Sequence, residues 1–195
     1  MNPFHYLVII DRKQSGQSIF LKALARDLAK QTRLRGLFIH GDNERTEQLL
    51  QDGVMRQVAR RRITKETSKR LVDIFAEAGV SCVAVELSQV STRRSEGVVE
   101  LDKRIEERIP GRTHLILSNL VDDEGKNIEL DAMATYVSTV LEIPVLKINS
   151  PDVNGIFVEK GEKNSDNKDM KTAQVQHLSI QDWGRFEEIY PPKSD

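Results

Sequence analysis

Residues 119–157, NLVDDEGKNIELDAMATYVSTVLEIPVLKINSPDVNGIF, decide the fold of this chain. They read in order as a turn (Asp122-Asp123-Glu124-Gly125), the segment Asn127-Ile128-Glu129-Leu130-Asp131, an amphipathic helix, an apolar strand at 144–148, and a polar loop closed by Asp152-Val153-Asn154-Gly155. Met133, Tyr136, Val137, Val140 and Leu141 recur at the three-to-four spacing of a helix packed by one side on a sheet. Asp131 then falls in the first helical turn. Unpaired N–H groups and partial positive charge at a helix start stabilise a carboxylate there, and such a carboxylate can orient a lysine, a metal or a phosphate. It can equally be an ordinary cap, and periodicity leaves both readings open. The order of elements suggests a site for phosphate or carboxylate.

Working outward, β-branched runs at 6–10, 36–40, 82–87 and 113–118 alternate with amphipathic stretches at 18–30, 44–51 and 65–78. That alternation predicts an α/β fold, a three-layer αβα sandwich with a mostly parallel sheet. Residues 88–100 (SQVSTRRSEGVVE) break the rhythm and read as a hairpin or loop excursion. Residues 159–171 (EKGEKNSDNKDMK) are almost wholly polar and read as a mobile loop, followed by a short strand at 174–178 and a helix at 179–189 with Trp183 packing it. At 195 residues one domain with a sizeable core is expected.

A net charge of -1 offers no global attraction to nucleic acid or anionic lipid, and 5% aromatic residues argue against a base-stacking surface. The basic run Arg56, Arg60, Arg61, Arg62, Lys65, Lys69 and Arg70 is interrupted by Glu66 and reads as a solvated helix face with one arginine turned to a ligand. No nucleic-acid partner is expected. The apolar N-terminal stretch meets Asp11-Arg12-Lys13 too soon to span a membrane, so no membrane association is expected and a cytoplasmic protein is. Cys82, the single cysteine, sits in an apolar run and reads as a buried strand position. His5, His40, His114 and His177 have no metal-ligand spacing, and no metal ligands are assigned. His40 alone ends a strand at a polar loop.

Taken together these segments resemble the amino acid kinase family, and within it the N-acetylglutamate kinase branch. The resemblance rests on the apolar strand, the D-E-G turn, the N-x-x-x-D helix start and the D-V-x-G-I loop of residues 119–157. His40-Gly41-Asp42-Asn43 stands where the family has H-G-G-G, and Arg62-Ile63-Thr64 looks like its R-V-T. The resemblance implies substrate binding by His40, Gly41, Arg62 and Asn127, nucleotide binding by Asp152, Asn154 and Gly155, and cation organisation by Asp131. It implies ATP with Mg²⁺ as co-substrate, phosphorylation of the side-chain carboxylate of N-acetylglutamate or a related acylated amino acid, arginine biosynthesis, and a homodimer. An arginine suits a carboxylate because its planar fork donates two parallel hydrogen bonds.

The departures are as informative. The family's first strand ends in K-x-G-G, whereas Asp11 stands at the lysine's place here, with Arg12 and Lys13 behind it as the candidate catalytic cations. A carboxylate there would repel a γ-phosphate. Asp42 and Asn43 replace two glycines that would let phosphate approach the backbone. The family's G-M-x-x-K segment is not matched, and Lys168 and Lys171 lie in the polar loop instead. These departures give the chain a second reading, a shortened, non-catalytic relative that binds a small carboxylate ligand as a regulatory subunit.

Overall fold

The computed structural model describes residues 4–93, 99–102, 105, 109, 111–121, 126–149 and 175–179. The first half runs β1 (Tyr6–Ile10), α1 (Arg12–Gly16), α2 (Ser18–Leu28), β2 (Gly36–His40), α3 (Arg45–Gln51), α4 (Arg56–Glu77) and β3 (Cys82–Glu86). A short antiparallel hairpin, β4 (Ser91–Arg93) and β5 (Val99–Leu101), follows; then come β6 (His114–Ser118), α5 (Leu130–Leu141), β7 (Val145–Asn149) and β8 (Val175–Ser179). The six longer strands form one sheet in the order β3-β6-β2-β1-β7-β8, and every neighbouring pair is parallel.

The alternation of side chains along these strands builds two cores. Tyr6, Val8, Ile10, Phe38, Ile116, Leu146 and Ile148 point to the face covered by α2 and α4, meeting Leu21, Leu24, Leu71 and Phe75. Leu7, Ile9, Leu37, Ile39, Leu115, Leu117 and Val145 point to the other face, meeting Met133, Ala134, Val137 and Leu141 of α5. The result is the α/β three-layer sandwich that the alternating pattern predicts. Leu101, Ile105 and Ile109 extend the second core, and the Tyr136 hydroxyl accepts the Leu101 N–H at 2.9 Å, fastening the hairpin to α5.

Local chemistry sets several details. Gly36 pairs in register with Tyr6, whose ring occupies the space where a Cβ would stand, 2.3 Å from Cε2. The Tyr6 hydroxyl donates to Gln31, and its ring meets Phe38 edge-on. Helix α4 begins nine residues before the expected 65, because Ala59 and Ile63 continue its buried stripe beneath a surface of arginines. Cys82 lies on the edge strand β3, the strand position expected, but is half-buried where a buried residue was expected; what burial it has raises its thiol to about 11. Among the described residues no helix is long and apolar enough to cross a membrane.

Candidate functional site

In this sheet β1 leads to β2 on one side, whereas β6 leads through α5 to β7 on the other. The strand order therefore reverses between β1 and β7. In open parallel sheets ligands bind beyond the carboxyl ends of strands at such a switch point, because the diverging connections leave a crevice there. A crevice of about 180 Å³ occupies that place, lined by Ile9, Asp11 and Gln14 from the end of β1, Leu130 and Asp131 from the start of α5, and Lys147 and Ile148 from β7.

Asp131 is the second residue of α5, whose cap residue Glu129 makes no side-chain hydrogen bond to the first turn. The Asp131 carboxylate accepts from Lys147 Nζ at 2.7 Å. Strand parity explains the meeting: Lys147 shares a face with Val145, the α5 face, and lies in register with Ile9 of β1. Both residues line the crevice, with the lysine side chain 35% exposed and the aspartate 75%.

The end of β1 is a helix start instead of a glycine loop. Asp11 Oδ1 accepts the Gln14 N–H at 2.7 Å, and the Gln14 side chain accepts the Asp11 N–H, a reciprocal capping box that opens α1. Gln14 also donates through Nε2 to the Ile148 carbonyl, tying α1 to β7, and both residues line the crevice. The carboxylate read as repelling phosphate is thus turned to its own backbone. Lys13 is an exposed residue of α1 and is not among the residues lining the crevice.

The 40–43 loop lies beyond β2 and is fastened by side chains. His40 is fully buried, its Nδ1 facing the Gly41 carbonyl at 2.9 Å and its Nε2 facing Ser68 Oγ of α4 at 2.9 Å. Nδ1–H donation to the carbonyl leaves Nε2 to accept the serine hydroxyl, and burial lowers the ring to about 4. Asn43 donates to Thr67 of α4 and accepts the Arg45 N–H. Arg12 of α1 reaches across to the same loop, donating to Glu47 at 2.9 Å and to the Asn43 carbonyl at 3.3 Å, with Asp42 at 3.8 Å. The hydrogen bond to Glu47 raises the guanidinium above its ordinary value and, with Arg12 as its leading cause, holds the Glu47 carboxyl below its own. Where resemblance expects flexible glycines, the chain has a loop stapled to α1 and α4.

Gly41 keeps the role of close packing. A Cβ there would come 3.1 Å from Asn119 Nδ2, which donates to the Ile128 carbonyl at 2.7 Å. Asn119 therefore clasps the segment that carries Asn127 toward α5, while its Oδ1 is buried with no hydrogen-bond partner among the described residues. Asn127 is met by Arg60 of α4, Nη1 to Oδ1 at 3.3 Å. Arg62 instead pairs with Glu66 at 3.0 Å on the outer face of the helix. Two residues along a helix turn about 200°, so the arginine matching the R-V-T pattern and the arginine that meets Asn127 point apart. Asp152, Asn154, Gly155, the 122–125 turn, the 159–171 loop and the segment 180–189 lie outside the described residues.

Lys147 is the residue that sequence reading passed over. Its signal was a lone lysine inside the apolar strand VLKIN, on the parity that faces α5. Among the described residues no group of three His, Cys, Asp or Glu side chains could hold a metal ion.

No protein-family model matches the sequence. No curated protein matches it either. Solved structures do resemble the fold. A substrate complex of isopentenyl phosphate kinase aligns with a TM-score of 0.63 at 13% identity, covering 97% of both chains. Aspartate kinase from Synechocystis aligns with a TM-score of 0.60 at 11% identity over 74% of this chain, which spans 28% of that enzyme's chain. A Streptococcus mutans protein aligns with a TM-score of 0.55 at 23% identity, covering 76% of this chain and 72% of that one. The two kinases belong to the amino acid kinase family, and the likeness establishes that this chain shares their fold.

Proposed function

We propose that this chain transfers the terminal phosphoryl group of a nucleoside triphosphate to a carboxylate of a small acidic acceptor. The observation that carries the reading is the position and lining of the crevice: the carboxyl ends of β1 and β7, where strand order reverses, beside the first turn of α5. In this reading a carboxylate oxygen of the acceptor attacks the γ-phosphorus, the bond from that phosphorus to the β,γ-bridging oxygen breaks, and the nucleoside diphosphate leaves with the electron pair. The acceptor is already ionised, so no proton needs to move. The chain's part is to place the two reactants in line and to offset negative charge.

The residues present fit a phosphate bearing Mg²⁺. The carboxylates that line the crevice are Asp11, capped to the Gln14 N–H, and Asp131, paired with Lys147; they would meet the ion only through its bound water, without giving up those partners, and the ion would neutralise phosphate charge when bound. Arg60, which donates to Asn127, would hold the acceptor's second acidic group in this reading. N-acetylglutamate as acceptor, and with it arginine biosynthesis, rests on the motif resemblance alone.

A second reading, a non-catalytic subunit that binds a small carboxylate, is favoured by one observation: Arg12 is engaged by Glu47 and lies near Asp42. Incubation with Mg-ATP, N-acetylglutamate and hydroxylamine separates the two, since an acyl phosphate is trapped as a hydroxamate. The kinase reading predicts hydroxamate from the native protein and at least a hundredfold less from Asp131→Asn. Native protein that binds the acceptor but forms no hydroxamate establishes the second reading.

A further inference from the structure

We propose that Lys147, entering the crevice from β7, supplies the positive charge for the transferring phosphoryl group, with Asp131 as the positioning residue that holds its ammonium in place. This rests on the phosphotransfer reading and names the cation which that reading requires.

Four observations converge on it. Lys147 lines the switch-point crevice, and its Nζ lies 2.7 Å from the carboxylate of Asp131, which lines it too. It lies in register with Ile9, two residues before Asp11, on a strand hydrogen-bonded to β1. Adjacent strands are about 4.8 Å apart, a span that a lysine side chain covers. Lys147 and Asp11 accordingly line the same crevice, with the ammonium on the α5 side of the sheet against Asp131. The other basic residues at the end of β1 are placed elsewhere: Arg12 is drawn to Glu47 and the Asn43 carbonyl, and Lys13 is outside the crevice lining. Finally, β7 is otherwise apolar where its side chains are described, and a lysine in such a strand loses hydration without adding to the core. Its pairing with Asp131 offsets that cost while leaving the ammonium partly open to a ligand.

During transfer the Lys147 ammonium keeps its proton and accepts no bond; it neutralises charge on the γ-phosphoryl oxygens as the bond to the leaving diphosphate breaks. Asp131 acts through Lys147.

The test combines titration calorimetry with residue-specific acylation. Native protein, Lys147→Met and Lys147→Arg are titrated with Mg-ATP, and native protein is treated with a lysine-acetylating reagent with and without Mg-ATP, the sites being read by mass spectrometry. Loss of a charge-assisted hydrogen bond predicts about tenfold to a hundredfold weaker binding for Lys147→Met. Lys147→Arg should bind more tightly than Lys147→Met, and Mg-ATP should slow acetylation of Lys147 in the native chain. Unchanged acetylation, or Lys147→Met binding equal to native, overturns the proposal while leaving the phosphotransfer reading standing. Failure of the native protein to bind Mg-ATP removes that reading and the proposal with it. The acetylation arm needs no variant and decides the matter should Lys147→Met fail to fold.

Discussion

Acidification should weaken this fold well before its carboxylates titrate, because two histidines are held neutral inside it. His40 is fully buried between the Gly41 carbonyl and Ser68, and burial lowers it from 6.5 to about 4. His114 accepts the Gly36 N–H at 3.0 Å and is lowered from 6.5 to about 4, chiefly by burial and further by the charge of Arg35. In both, the unfolded chain takes up a proton at a higher pH than the folded one. Stability is therefore unaffected above pH 6.5 and falls as pH drops from 6.5 toward 4. At pH 5 each histidine should have removed roughly 2 kcal/mol and the two together about 4 kcal/mol, a large share of a typical 5–15 kcal/mol. Urea unfolding at pH 7 and pH 5 measures this directly. His114→Gln, which can still accept the Gly36 N–H, should remove about half of the difference. Equal stability at the two pH values would refute the reasoning, as would an undiminished pH dependence in His114→Gln.

Three further outcomes follow from backbone and packing. Gly36→Ala places a methyl group 2.3 Å from the Tyr6 ring, which is pinned by Gln31 and Phe38, so it should cost about 1–3 kcal/mol and lower Tm by several degrees. Adding Tyr6→Val should recover much of that loss, and an additive double mutant would show that the contact is not the cause. Gly41→Ala crowds Asn119 at 3.1 Å and loosens its bond to Ile128; acceptor binding should weaken more than stability, as seen by comparing titration with thermal melting. Glu142 closes α5 in the left-handed conformation at φ 52°, so Glu142→Gly should stabilise the fold by about 1 kcal/mol, and a lower Tm would contradict the cap assignment.

The strands β1, β2, β3, β6 and β7 were legible as short apolar runs between turn residues, and their observed bounds, like those of β8, fall within a residue of those expected. Helix α4 was legible only in its apolar half: its first turns carry Arg56, Arg60, Arg61 and Arg62, which report solvent and not helix phase. The site was legible where it depends on local order, as with Asp131 at the start of α5, and not where it depends on strands meeting in space. Lys147 and Asp131 are joined by parity and crossover, which a linear reading does not display. Asp11 showed the same limit in reverse. By position it was a misplaced charge, but three residues on stands Gln14, and in space the two make a capping box. Arg62 matched a motif by neighbours in sequence, while helical rotation gave the contact with Asn127 to Arg60.

The most direct test of the central claim is a crystal structure of the protein grown with Mg²⁺ and a non-hydrolysable ATP analogue. The account predicts the terminal phosphate in the crevice between β1 and β7, within hydrogen-bond distance of Lys147 Nζ, with Asp131 still against the lysine. A nucleotide seated away from that crevice, or a terminal phosphate with Lys147 turned from it, would contradict the account.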